Sequence, residues 1–203
     1  MEAKGRSFIV FVSLLIWAFN HQSDVLGLKV GPGKCPDKIY LTDFDFYKGA
    51  GKWYFHKYMT NLPVQLTIGT CPRTNITIFM NKTQPLYNIT NTFTIDLGYK
   101  YNYDIKGLAI QEPFGRLQVA LDLPLIGVKQ GPLWILSTDY KDYAIAYSCM
   151  TYKDILYFQV GYILTRRANY NHSKEFDEAV DIFVKKVGLS PDNFLRLNQK
   201  NCD

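Results

Sequence analysis

Between residues 53 and 165 turn-forming residues cut the chain into short apolar runs, and within the runs large side chains recur at every second position. Leu117, Val119 and Leu121 share one face of residues 116–121. Tyr101, Tyr103 and Ile105 alternate with Asn102, Asp104 and Lys106, and Tyr143, Ile145 and Tyr147 alternate with Ala144, Ala146 and Ser148. A period of two is that of a strand with two unlike faces. The 15 tyrosines and 13 phenylalanines suit such half-buried pleated surfaces. Breaks at Asn61–Pro63, Asn81–Pro85, Leu97–Lys100, Glu112–Gly115, Leu123–Pro132, Asp139–Asp142 and Tyr152–Asp154 leave eight strands. They are expected at about 53–60, 72–81, 86–95, 101–111, 116–122, 133–138, 143–150 and 156–165. Past Gly107 the apolar parity switches to Leu108 and Ile110, which predicts a bulge or bend there. Eight strands at this spacing make a sandwich or a closed up-and-down barrel.

One helix follows the strands. Over Ser173–Gly188 the apolar residues Phe176, Ala179, Val180, Phe183, Val184 and Val187 fall on one face of a 3.6-residue period. Ser173 is placed as N-cap, with Glu175 at the positive end of the dipole and Lys185, Lys186 and Gly188 at the other. A single amphipathic helix must bury its face on the outside of the sheet. The alanine face of residues 143–148 is expected to let it approach closely.

The first 27 residues have the layout of a secretory signal peptide: Lys4 and Arg6, then Phe8–Phe19, apolar except for Ser13, then a polar patch from Asn20 to Asp24. Twelve residues are too few to cross a bilayer, which takes roughly 20. Residues 28–203 are read as one domain, secreted and without a transmembrane segment. Its four cysteines, Cys35, Cys71, Cys149 and Cys202, read as two disulfides in an oxidising compartment, with three pairings open. Four sequons, at Asn75, Asn81, Asn88 and Asn171, agree with that compartment.

The sequence holds no nucleophile elbow, phosphate loop or zinc-protease motif. The cysteine spacings match no zinc pattern, so no metal is expected. Only His56 and His172 follow the leader, and no acid–base pair stands out. The net charge of +5 is spread along the chain rather than gathered into a nucleic-acid footprint. No enzymatic activity is expected. What the strands offer is aromatic surface for a barrel wide enough to hold one small ligand. Strand parity nominates Phe55, Tyr101, Tyr103, Trp134, Tyr143, Tyr147 and Phe158 as ligand contacts.

Three separated motifs resemble those of the lipocalins. Gly51-Lys52-Trp53 is similar to their first-strand G-x-W, Thr138-Asp139-Tyr140 to their turn between the sixth and seventh strands, and Arg166 to the arginine ending their last strand. The segment from Leu133 to Cys149 most resembles the subgroup of apolipoprotein D, insecticyanins and other insect bilin-binding proteins. The resemblance covers about residues 35–202. It implies an eight-stranded barrel with the helix packed outside, Trp53 sealing one end beneath Arg166, and disulfides Cys35–Cys149 and Cys71–Cys202. It also implies a carrier of a small hydrophobic molecule, either a tetrapyrrole such as biliverdin or a fatty-acid- or sterol-type lipid. No cofactor is required, although a biliverdin-type chromophore would be one possible cargo. The alternative is a glycoprotein with a filled barrel that acts through protein contacts, and self-association is left open in either case.

Overall fold

The strands form where the alternation places them. The computed structural model describes residues 31–61, 69–81, 84–96, 98–113, 115–124, 127–168 and 174–202. The leader at 1–27, Asn171, His172 and Ser173 lie outside them, as does the rest of the Asn81 sequon. In chain order the elements are β1 (Gly31–Pro32), α1 (Phe46–Gly49), β2 (Gly51–Thr60), β3 (Thr70–Asn81), β4 (Gln84–Asp96) and β5 (Lys100–Glu112). There follow β6 (Arg116–Leu123), β7 (Gly127–Thr138), β8 (Tyr143–Tyr152), β9 (Leu156–Thr165), α2 (Lys174–Lys186), a 3-10 turn and β10 (Leu195–Arg196). Strands β2 to β9 pair antiparallel in sequence order, and β9 also pairs with β2. The sheet is a closed eight-stranded barrel with one C-terminal helix outside it.

Two expectations about the strands need correction. Gly107 is not a bulge, because the registers Ile89↔Gly107 and Gly107↔Leu121 run through it unshifted. A Cβ there would lie 2.4 Å from the Ala120 carbonyl oxygen, so glycine permits close approach of β6. The parity switch beyond it is real, and it leaves Leu108 and Ile110 exposed on the outer face. Strand β7 also starts six residues before the expected position, running through Gly131 and Pro132. Pro132 pairs with Gln118 on β6, whereas pairing with β8 begins only at Trp134. The proline's missing donor therefore costs no ladder bond on that side.

The helix reading is corrected in its docking face. α2 does not sit on the alanines of β8; Val180, Val184 and Val187 pack with Tyr143, Ile145, Tyr147, Met59, Ile163 and Phe194. Phe183 stacks on Tyr143 with ring centroids 5.3 Å apart. Lys57, on the outer face of β2 beyond a register shift, reaches Asp177 at 3.1 Å and Asp181 at 3.6 Å. Burial raises the Asp177 pKa, but Lys57 and Arg196 more than offset this and hold it below the ordinary carboxylate value. The helix ends at Gly188 (φ +77°), whose N–H donates to Lys185 O while Leu189 N–H donates to Val184 O, each at 3.0 Å.

Two short outer strands and two disulfides tie the ends of the domain to the barrel. β2 pairs with β3 only over Gly51–Tyr54, and β10 takes up Lys57 and Tyr58 where β3 has left. Gln199 Nε2 donates to the carbonyls of Phe55 (2.9 Å) and Pro72 (2.6 Å). Cys71–Cys202 locks this tail, and Cys35–Cys149 fastens the N-terminal segment to β8. All four cysteines are thus bonded, and a thiol-dependent reaction has no thiol to use. Opening Cys71–Cys202, which closes a span of 131 residues, with Cys71→Ser/Cys202→Ser is expected to cost on the order of 2–5 kcal/mol. Urea unfolding of the two proteins checks this; equal midpoints would contradict it.

Candidate functional site

The site begins with the plug that closes one end of the barrel. Asp45 caps α1, its carboxylate accepting from the N–H groups of Tyr47 (3.0 Å) and Lys48 (3.1 Å). One turn later Gly51, at φ +97°, brings the chain into β2. A Cβ there would meet Arg166 Nη1 at 3.1 Å, in a backbone conformation that favours glycine. Trp53 is 3% exposed and donates from Nε1 to Gly49 O at 2.8 Å. The Arg166 guanidinium carbon lies 3.7 Å from the Trp53 ring centroid. The guanidinium donates to four carbonyls: Lys48 (2.9 Å), Ala50 (2.8 Å), Lys52 (3.1 Å) and Tyr140 (3.2 Å). Burial draws the Arg166 pKa below its usual value while Asp139 opposes the shift, and a guanidinium remains charged all the same.

Thr138, Asp139 and Tyr140 form the turn that carries the last of these carbonyls. Asp139 Oδ1 accepts from the N–H groups of Lys141 (3.1 Å), Asp142 (2.9 Å) and Tyr143 (3.0 Å). Thr138 Oγ1 accepts from Tyr140 N–H at 2.9 Å and donates to Tyr143 O at 2.6 Å. Tyr140 adopts φ +63°, stacks on Phe44 at 5.5 Å, and its hydroxyl accepts from Asp45 N–H at 2.8 Å. The three motifs therefore meet as one plug.

Above the plug lies a cavity of about 270 Å3. Phe44, Phe46, Gly49 and Trp53 make its floor. Phe55, Ile76, Tyr87 and Ile89 line one wall; Leu117, Val119, Leu133 and Ile135 line another. Ala144, Ala146 and Ser148 of β8, with Tyr162 and Leu164 of β9, complete the ring. Phe55 and Tyr162 meet edge to face at 5.2 Å. Thr74, Asn91, Gln130 and Lys129 are the other polar members, and among the described lining residues Lys129 carries the one formal charge. β7 ends at the plug, so Lys129 and Gln130 at its start stand at the opposite, open end beside Leu121 and Met150. Burial pushes the Tyr162 phenol up to about 12, which keeps it a neutral hydroxyl at physiological pH.

The structure separates the seven nominated ligand contacts into three groups. Phe55 is on the cavity wall. Tyr101, Tyr103 and Phe158 share the inner face by register, being opposite Ile95, Phe93 and Met150. Tyr101 and Tyr103 sit nearer the open end than the cavity lining, whereas Phe158 is level with the lining residue Met150 without lining the cavity itself. Tyr103 packs its ring on Phe93 at 5.3 Å and Tyr101 is 52% exposed. Trp134, Tyr143 and Tyr147 face outward: Trp134 lies against Arg116, and all three border the cluster under α2. The parity of β8 was assigned the wrong way round, because the α2 face needs large side chains and the cavity needs small ones. Tyr87, Tyr162 and the β6 leucines were missed. Arg166 marks the inner face of β9, so Leu164 and Tyr162, two and four residues earlier, were available from that signal.

With this geometry established, the chain belongs to the lipocalin / cytosolic fatty-acid binding protein family, whose model matches residues 39–201. Among its relatives is apolipoprotein D of Mus musculus, 27% identical over 172 residues, covering 84% of this chain and 85% of that protein. The Lazarillo protein of Schistocerca americana is 25% identical over 167 residues, covering 81% and 74%. Solved structures with the same fold include insecticyanin from the tobacco hornworm Manduca sexta (TM-score 0.63, 21% identity, 83% of this chain and 88% of that one). Lobster apocrustacyanin A1 is another (TM-score 0.61, 24% identity, 85% and 92%). Members of the family are in general carriers of small hydrophobic ligands rather than enzymes.

Trp53→Ala is expected to cost about 3–5 kcal/mol as a buried aromatic truncation. Arg166→Met keeps the stem over the indole but leaves four carbonyls without their donor, and should cost at least about 2 kcal/mol. Denaturant midpoints of both variants check this; unchanged stability in Trp53→Ala would mean that the tryptophan seals nothing.

Proposed function

We propose that the protein is a secreted carrier that holds one small hydrophobic molecule inside its barrel. The observation that carries this is the cavity itself: a sealed floor, apolar walls, alanines where filling side chains would otherwise stand, and one open end. A filled barrel acting only through protein contacts would leave no space of this size. The two disulfides support an oxidising compartment, and the signal-like leader and the sequons point the same way.

The polarity of the lining favours a lipid with an apolar body and an acidic or polar end, the body resting on Trp53 and the end near Lys129 and Gln130 at the rim. A biliverdin-type chromophore is the alternative occupant; it would stack on the Tyr87, Tyr162 and Phe55 rings. An absorption spectrum of protein purified from its source separates the two, since visible bands indicate the pigment and a colourless preparation a lipid.

Titration with a long-chain fatty acid, followed by tryptophan fluorescence, should saturate near one molecule per chain. Lys129→Met should weaken a carboxylate lipid about two- to five-fold at low salt, as an exposed charge pair does, and leave the corresponding alcohol unaffected. No binding across a lipid and bilin panel would overturn the carrier reading; equal loss for acid and alcohol would overturn the role of Lys129.

A further inference from the structure

Strands β3 and β4 carry the same tripeptide in opposite directions. Asn75-Ile76-Thr77 and Asn88-Ile89-Thr90 lie in register, with Asn75 opposite Thr90, Ile76 opposite Ile89, and Thr77 opposite Asn88. Both isoleucines line the cavity, so alternation turns the asparagines and threonines to the outer face, where Asn75 and Asn88 are exposed. Diagonal neighbours of this kind stand about 7–8 Å apart. Each asparagine faces the other sequon's threonine, a small side chain that leaves room above it.

The two positions differ on their far sides. Asn75 pairs there with Lys52 of β2. Asn88 pairs with Leu108 of β5, which is 48% exposed, and borders a shallow outer groove formed with Lys106, Ala120, Asp122 and Val128. That groove has an apolar floor, with an ammonium group and a carboxylate among its lining residues. A pyranose is its complement, with C–H groups on one face and hydroxyls and an acetamide around the edge.

We propose that Asn75 and Asn88 both carry N-linked glycans and that the first N-acetylglucosamine on Asn88 seats in this groove over Leu108 and Val128. The proposal rests on the secretory reading. In the attachment step the Asn88 amide nitrogen attacks C1 of the first sugar of a polyisoprenyl-diphosphate oligosaccharide. The N–C1 bond forms, the C1–O bond to the diphosphate breaks, and the amide loses one proton as the diphosphate leaves. The Asn75 glycan, with no apolar floor beside it, extends freely into solvent. Together the two sugars cover the side of the barrel away from α2, and protein partners are excluded from it.

The test is to express the full chain in a eukaryotic secretory host with labelled leucine and valine methyl groups. The glycans are then trimmed with an endoglycosidase that leaves one N-acetylglucosamine per site. Peptide mapping should find both asparagines occupied, and Asn75→Gln and Asn88→Gln should each remove one glycan mass. Nuclear Overhauser contacts should link the Asn88 sugar to the methyl groups of Leu108 and Val128 and vanish in Asn88→Gln, or in Thr90→Ala if that variant fails to fold. Asn75→Gln should leave them intact. A secreted chain with Asn88 bare, or an occupied Asn88 whose sugar shows no such contacts, overturns this inference alone. A chain that never enters the secretory pathway overturns the secretory reading as well.

Discussion

The stacking of Arg166 on Trp53 is the contact on which the rest of the structure depends. Among the described residues the guanidinium forms no salt bridge; it is held by four carbonyls from the end of α1, the start of β2 and the β7–β8 turn. One side chain thereby satisfies the C-terminal carbonyls of a short helix, fixes the turn, and desolvates its own charge against an indole face, where a cation–π contact is strongest. It joins three chain segments that are distant in sequence. Together with Phe44, Phe46 and Gly49, that junction gives the space above it a floor.

A barrel with space inside has forgone the burial that would normally stabilise its core, since empty volume is itself destabilising. The compensation lies outside. β8 directs Tyr143, Ile145 and Tyr147 away from the axis, where α2, Met59, Ile163 and Phe194 cover them, and directs Ala144, Ala146 and Ser148 inward. The largest buried cluster is therefore wedged between helix and barrel wall rather than at the barrel centre. Two disulfides and the β10 strip fasten the segments around Cys35 and Cys202 to the barrel. Stability and capacity are placed on opposite faces of the same strands.

Much of this was legible in the sequence. The period-two alternation defined eight strands because each has two unlike faces, and α2 was legible for the same reason with a period of 3.6. The pocket was only partly legible. Alternation in β8 shows two faces, large and small, but not which is inside, since either could pack against something apolar. Where a residue of known placement shares the strand the ambiguity falls: Trp53 fixes Phe55, and Arg166 would have fixed Leu164 and Tyr162. β6 has no such marker. Height along the barrel was not legible either, which is why Tyr101 and Tyr103 have inward parity yet lie above the cavity. Gly107 read as a bulge or bend because close approach of a neighbouring strand and a bulge call for the same residue.

The most direct test of the carrier account is to fill the cavity without touching the plug or the helix. Ala146→Phe adds a ring to the wall beside Tyr162 and leaves Trp53, Arg166 and both disulfides unchanged. The account predicts a folded protein, with its far-ultraviolet spectrum and disulfides retained, that binds a long-chain lipid at least ~10-fold more weakly than the native chain, a difference of about 1.4 kcal/mol. Undiminished binding by a folded Ala146→Phe protein would place the ligand elsewhere and contradict it.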